Sequence, residues 1–419
     1  MAATSPARAA GQYVSPPEFN PPHTMPAVQA PAARGDVWQA VDVALLVAAI
    51  ALGAWLVLGR RSRRGMMLLM LASLAYFGFV RHGCVCAIGA IQNAALALGD
   101  SSYVMPLVVL GFLLIPLAAT LVVGRVFCGA ACPLGAIQDL VLVKPLRVPA
   151  WLEHALGLGG WLYLGLAVLL AATGAGFIIC QYDPFVGFFR FDGPATMLAL
   201  GAVLLALGMF IGRPYCRFIC PLGAVFRPLS SVAWRHVSVA PEQCIRCRLC
   251  EDACPFGAIQ IPSPNQSPRR AGKLLLTLAL VALPLLIAGG AVLGRLAGPT
   301  LARLHPDDRL ARQLYLESIG QATPVNESTA YRNHNAGESP AYAAAGRART
   351  QMNTGAAWLG GFMGLVIGLK LVRLSVRRRQ LDFLANRATC LSCGRCFNAC
   401  PMHRRKLRRI GQPAPGGGA

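Results

Sequence analysis

Cys244-Ile245-Arg246-Cys247-Arg248-Leu249-Cys250-Glu251-Asp252-Ala253-Cys254-Pro255 is answered near the C-terminus by Cys390-Leu391-Ser392-Cys393-Gly394-Arg395-Cys396-Phe397-Asn398-Ala399-Cys400-Pro401. Three cysteines at even spacing followed by Cys-Pro form an iron–sulfur ligand set in which the fourth cysteine of each run ligates the cluster of the other. Cys244, Cys247, Cys250 and Cys400 are therefore expected to hold one [4Fe-4S] centre, and Cys390, Cys393, Cys396 and Cys254 a second. The two runs then form one unit despite their separation along the chain. Zinc motifs rarely carry this spacing, and the zinc reading is set aside.

Outward from the runs, the chain is apolar: of 419 residues 55% are hydrophobic and only 13% charged, with a mean hydropathy of +0.52. Its apolar residues fall in blocks near the roughly 20 residues a spanning helix needs. Seven spans are expected, at about 38–58, 65–80, 104–124, 156–176, 194–212, 274–297 and 355–372. Positive residues flanking spans are retained in the cytoplasm, and with seven spans starting outside, 28 of the 39 Lys and Arg lie in inside segments. That places the N-terminus in the periplasm, the C-terminus in the cytoplasm, and both runs on the cytoplasmic side. Two spans separate the runs, an even number, so shared ligation and charge distribution agree.

The expected organisation is a disordered outside tail (1–36), a five-helix membrane core (37–240), a first half-domain (241–272), a spanning helix (273–297), an outside loop segment (298–354), a last spanning helix (355–376), a second half-domain (377–410) and a flexible tail (411–419). The net charge of +22 is mostly juxtamembrane, where it signals topology and attracts anionic lipid; nucleic acid is not the expected partner. Arg246, Arg248 and Arg395 lie inside the cysteine runs. Two readings of them stay open, ordinary juxtamembrane charge or a positive face that raises potentials and meets an acidic donor.

Two further segments repeat one another: Phe127-Cys128-Gly129-Ala130-Ala131-Cys132-Pro133-Leu134-Gly135-Ala136 and Tyr215-Cys216-Arg217-Phe218-Ile219-Cys220-Pro221-Leu222-Gly223-Ala224. Cysteines four apart share a helical face, and two pairs supply the four thiolates of an iron–sulfur cluster at the membrane face: Cys128, Cys132, Cys216 and Cys220. Free thiols of a reducing compartment are the plainer alternative. A third group, Cys84 and Cys86 in Gly83-Cys84-Val85-Cys86-Ala87-Ile88-Gly89-Ala90-Ile91-Gln92 and Cys180 in Cys180-Gln181-Tyr182-Asp183-Pro184-Phe185, falls at the outer span ends. The stretch after Cys86 resembles Leu134-Gly135-Ala136-Ile137-Gln138, an inverted duplication of the kind seen in transport folds. Metal or iron–sulfur ligation by these three cysteines and a disulfide both stay open.

Several classes are excluded. There is no Cys-x2-Cys-His for covalent haem and no His within a span for haem b. No P-loop and no Gly-x-Gly-x-x-Gly after a strand is present. Asp42, Asp183 and Asp192 read as solvated or capping carboxylates at outer helix ends.

The Cys-x3-Cys-Pro-Leu-Gly-Ala repeats followed by the first four-cysteine run resemble the membrane polyferredoxins of the NapH, NosR and CcoG type, over roughly residues 104–262, with the C-terminal run adding a further match. The resemblance implies paired cytoplasmic Cys-x3-Cys-Pro loops, here Cys128, Cys132, Cys216 and Cys220, and electron passage between a quinone pool or cytoplasmic carriers and respiratory or maturation systems. The wide separation of the runs and the absence of a flavin-attachment motif depart from that pattern. The expected fold is mainly α, about seven transmembrane helices with a cytoplasmic, split two-[4Fe-4S] ferredoxin-like (α+β) domain, in the bacterial inner membrane. The expected function is an electron-transfer subunit relaying electrons between a cytoplasmic or quinone-side donor and a membrane or periplasmic partner within a larger complex. Its rivals are a redox-driven ion-transport subunit of the Rnf/Nqr type and a copper-reducing, metal-handling assembly factor.

Overall fold

The computed structural model describes residues 35–83, 86–239, 244–262, 269–334, 337–376 and 382–403. Cys84, nearly all of the expected N-terminal tail and the whole of the C-terminal one lie outside those residues.

Among the described residues five helices are long and apolar enough to cross a membrane: α1 (Asp36–Gly59), α2 (Arg63–Val80), Ala150–Ala172, Lys273–Ala302 and Ser339–Ser375. The expected spans near 104–124 and 194–212 correspond to shorter apolar helices, Leu107–Val123 and Ala195–Gly208. Pro106 and Pro194 stand immediately before these two helices, where a missing N–H costs nothing. Between them the chain folds the short helices Val126–Ala130 and Pro133–Leu140. The second repeat does the same with a π-turn, Tyr215–Ile219, and the helix Pro221–Ser231. The apolar centre of this bundle includes Leu46, Phe77, Phe112, Phe127, Phe185 and Phe226, and it also buries Cys132, Cys216 and Cys220.

The helix Arg269–Ala302 and Ser339–Ser375 form a long antiparallel pair. Their backbones meet through small residues at helical spacing, the arrangement that permits close approach in membranes. A Cβ at Gly294 would lie 2.0 Å from the Ala356 carbonyl oxygen, and one at Gly360 2.0 Å from that of Gly290. Leu278, Leu285 and Leu293 face outward, exposed. Much of the segment expected as an outside loop is helical, including Pro306–Ser318 and Asn326–His334. Buried His305 caps the first of these through Asp307 N–H and pairs with the Thr173 carbonyl at 3.0 Å, tying it to the bundle.

The two cysteine runs come together at the end of the bundle where α1 passes to α2. Strand β1 (Ile259–Gln260) pairs antiparallel with β2 (Leu384–Ala385), with Ile259 opposite Ala385, and Asn386 N–H continues the contact to the Ala258 carbonyl at 2.7 Å. The short helices Leu249–Asp252 and Arg395–Ala399 pack on each other beneath this pair.

Candidate iron–sulfur centres

Both runs wrap in the same backbone conformation. In the first, Arg246 and Arg248 have φ of 53° and 63°; in the second, Ser392 and Gly394 have 54° and 74°. A left-handed residue on each side of the middle cysteine turns successive N–H groups inward, the nest that receives anionic phosphate and iron–sulfur groups. Three of these four residues carry side chains, so the conformation is held against its own cost.

Cys244, Cys247, Cys250 and Cys400 line one pocket of about 390 Å³ of empty space, closed by Val239, Phe383 and Pro401. Burial pushes the Cys250 thiol up, and Cys247 and Cys400 add to the effect. The other foursome is equally crossed over: burial pushes Cys390 up to about 12, with Cys393 and Cys254 as its thiol neighbours. Cys396 lies within reach of Cys393, Cys390 and Cys254, and also of Cys250 in the first run. Each run therefore comes close to the fourth cysteine of the other.

The third group is fully assembled. Cys132 is buried and feels Cys216, Cys128 and Cys220. In both repeats the second cysteine precedes proline at the first turn of a helix, so its sulfur faces unpaired N–H groups and the positive end of the dipole. Gly223 N–H donates to Cys220 Sγ at 3.3 Å. The glycines of the two Pro-Leu-Gly segments are spatial requirements: a Cβ at Gly135 would lie 3.0 Å from the Cys128 carbonyl oxygen, and one at Gly223 3.0 Å from that of Cys216. Gln138 fixes the second repeat against the first, donating Nε2 to Cys216 Sγ at 3.3 Å and accepting from Tyr215 N–H at 3.0 Å.

Two buried arginines cross between the repeats. Arg125 donates to the Ala388 carbonyl at 3.1 Å, just before Cys390. Arg213, with no exposed surface, donates to the Cys128 carbonyl and lies within electrostatic reach of Cys216, Cys128 and Cys393. Its charge stands between the membrane-face group and the second foursome. Asp139 is the counter-charge, buried and paired with Arg63 at 3.0 Å, Arg395 at 3.3 Å and Arg213 at 3.5 Å. Burial opposes its ionisation, yet Arg213, Arg395 and Arg63 hold its carboxyl well below the usual carboxylate range. Arg63 also donates to the Cys393 carbonyl at 2.9 Å. At Gly129 the C-terminal run sits so close that a Cβ would lie 2.4 Å from the Leu391 carbonyl oxygen. Cys128, Cys254, Cys390 and Cys393 thus share one apolar contact region.

At the opposite end of α2, Cys86, Cys180 and Asp183 border one open cavity with Asp42, Arg81 and Arg190. Asp42 is buried rather than solvated: it pairs with Arg81 at 3.0 Å and accepts from the Tyr76 hydroxyl at 2.7 Å. Asp183 is buried as well and accepts from Phe185 N–H at 2.9 Å. Desolvation pushes its carboxyl up to about 6, against those backbone donors.

Arg125, Arg213, Gln138 and Asp139 are functional neighbours that cysteine spacing alone misses. A signal for the arginines was present, because Gly124-Arg125 and Gly212-Arg213 each stand three residues before the first cysteine of a repeat.

Among the described residues no three His, Cys, Asp or Glu side chains come close enough to chelate a single ion. A cubane spreads its irons over its corners and holds its ligands farther apart than a lone zinc at about 2.3 Å from each sulfur. The crossed foursomes, the paired nests and the helix-capped sulfurs fit iron–sulfur centres on these grounds.

Comparison with known proteins agrees with this chemistry. A 4Fe-4S binding family matches residues 104–158 and 193–238, and a second family of 4Fe-4S binding domains matches 237–260. With five helices long and apolar enough to cross a membrane among its described residues, the chain resembles membrane-associated 4Fe-4S binding proteins, and it spans about a third of the length of the first of the curated relatives it matches. More particularly, it is 30% identical over 26% of its length to YccM of Escherichia coli, a protein named for electron transport, covering 33% of that relative. It is 36% identical to NirI of Paracoccus denitrificans over 20% of its length, covering 12% of that protein. It is 29% identical over 43% of its length to an uncharacterized protein of Methanocaldococcus jannaschii, covering 77% of it. No solved structure matches.

Proposed function

We propose that this chain is the iron–sulfur relay of a larger membrane redox system, carrying single electrons between a soluble or quinone-side donor at the ferredoxin-like end and a membrane or periplasmic partner. Cys244, Cys247, Cys250 and Cys400 hold one [4Fe-4S] centre, Cys390, Cys393, Cys396 and Cys254 a second, and Cys128, Cys132, Cys216 and Cys220 a third at the membrane face. When bound, such centres supply one-electron chemistry at potentials set by charge, hydrogen bonds to sulfur and burial. The protein's own part is to position and to tune. The nests and helix termini direct N–H groups at the sulfurs, Gln138 donates to Cys216, and Arg213 holds positive charge between two cysteine groups. The runs lie on the cytoplasmic face of a multi-pass inner-membrane protein of about seven spans, and lipid covers the outward leucines of the C-terminal helix pair.

The observation that supports the reading is the proximity of cysteines across the two runs and within the paired repeats, with Cys400 beside the first run and Cys128, Cys254, Cys390 and Cys393 in one apolar contact region. The test is anaerobic purification of the full chain, with iron, acid-labile sulfide and EPR after reduction. Iron and sulfide in equal amounts, with several interacting signals, is expected. Iron without sulfide, or zinc in its place, overturns the reading.

A further inference from the structure

Resting on that reading, we infer that the cavity at the far end of the bundle holds a further iron–sulfur centre, ligated by Cys86, Cys180 and the carboxylate of Asp183, in an inverted copy of the cradle at the membrane face.

Cys86-Ala87-Ile88-Gly89-Ala90-Ile91-Gln92 aligns with Cys132-Pro133-Leu134-Gly135-Ala136-Ile137-Gln138 with five of seven residues identical, and the glutamines of the two segments make matching long-range bonds. Gln138 Oε1 accepts from Tyr215 N–H, one residue before Cys216, at 3.0 Å. Gln92 Oε1 accepts from Ile179 N–H, one residue before Cys180, at 2.9 Å. Gly89 is also closely packed, since a Cβ there would lie 3.2 Å from Cys180 Sγ. Asp183-Pro184 stands where the inner repeat has Cys220-Pro221, one residue nearer its cysteine. Both side chains accept a backbone N–H of the turn that follows, Asp183 from Phe185 and Cys220 from Gly223.

One difference points to a ligand. Gln138 Nε2 donates to Cys216 Sγ at 3.3 Å, whereas Gln92, with no exposed surface, has an Nε2 without any partner. A buried amide donor left unpaired is destabilising unless a bound group accepts it. This Nε2 belongs to the amide whose oxygen accepts from Ile179 N–H beside Cys180, where a metal-bound sulfur would accept it. Oxygen ligation beside sulfur is compatible with such a centre, whose irons already accept non-cysteine ligands in other proteins.

The location gives the centre a use. Cys86 and Cys132 border the same small apolar pocket, together with Phe77, Phe112 and Phe127. Tyr163 and Tyr215 lie within electrostatic reach of Asp183 on one side and Cys220 on the other. Phe185 meets the Tyr215 ring edge-on at 5.5 Å between centroids. A centre at this position adjoins the membrane-face group instead of being separated from it by the roughly 30 Å of a hydrocarbon core, and it extends the relay toward the opposite face.

The test uses the full chain purified anaerobically in detergent, comparing wild type with Cys86→Ser/Cys180→Ser and with Gln92→Leu. The double variant is expected to lose iron and acid-labile sulfide together, along with one EPR signal, while the other signals persist. Gln92→Leu leaves the ligands in place, so its content should match wild type while one midpoint potential falls, because a hydrogen bond to sulfur has been removed. Unchanged content and spectra in the double variant, or loss of metal without sulfide, overturns the inference. If the double variant does not accumulate, an unmoved set of potentials in Gln92→Leu overturns it. A wild type without sulfide would instead refute the relay itself, so the two failures are distinguishable.

Discussion

Asp139 shows how much of this protein rests on single buried charges. Three arginines from three parts of the chain converge on one carboxylate, and only Arg213 belongs to the duplicated repeats. Asp139→Asn leaves those guanidinium groups without a counter-charge, and breaking a buried pair this way costs about 3–5 kcal/mol. The expected outcome is release of the C-terminal run, read as faster limited proteolysis after residue 376 and loss of the EPR signal of the Cys390 foursome. The sign of the pH dependence follows. A carboxyl held below its ordinary value of 3.8 contributes fully above that value and progressively less as the pH falls toward its folded value. Acid release of the C-terminal run should therefore begin below about pH 4 in wild type, and in Asp139→Asn the run should already be loose at neutral pH. Arg213→Gln is shorter but keeps an N–H donor while removing the charge between two cysteine groups. A potentiometric EPR titration should show midpoints of the membrane-face and Cys390 signals moving down together, while that of the Cys244 foursome stays in place.

Among the elements, the C-terminal helix pair is held by backbone contact rather than by interlocking side chains. Gly294→Leu forces a side chain into the Ala356 carbonyl and should separate the helices at a cost of about 1–3 kcal/mol. Gly289→Leu, where nothing lies within 4 Å, should leave the thermal midpoint unchanged. Comparative melting in one detergent checks both. The elements also mark where sequence reading stops. The long apolar helices were legible because burial in lipid requires an unbroken run of apolar residues, and the meeting of the two cysteine runs was legible because their ligand spacing calls for a partner run. The helices between Pro306 and His334 were not legible: their sequence is polar, and what holds them is long-range pairing, such as Arg349 with Asp308 and Arg332 with Glu317 and Glu338. The depth of Asp42 and Asp183 was hidden for the same reason. An acidic residue at a helix end reads as solvated until the element that covers it is known.

On the scale of the whole molecule, the chain is a bundle that brings two distant runs of sequence to one end and grips both. Arg125, Arg63 and Ser230 hold the C-terminal run through its backbone carbonyls. Arg147 holds the first run through Asp252 and Glu251, and the β1–β2 pair joins the runs to each other. On the crossed ligation proposed above neither run completes a centre alone, so their separation by a pair of long apolar helices would make assembly of the centres conditional on assembly of the bundle. The measurement that tests this most directly is EPR of four single variants, Cys247→Ser, Cys400→Ser, Cys393→Ser and Cys254→Ser, each in the full chain. Crossed ligation predicts that Cys400→Ser alters the same signal as Cys247→Ser, and Cys254→Ser the same signal as Cys393→Ser. If Cys400 instead follows Cys393 and Cys254 follows Cys247, each run closes on its own centre and crossed ligation is contradicted.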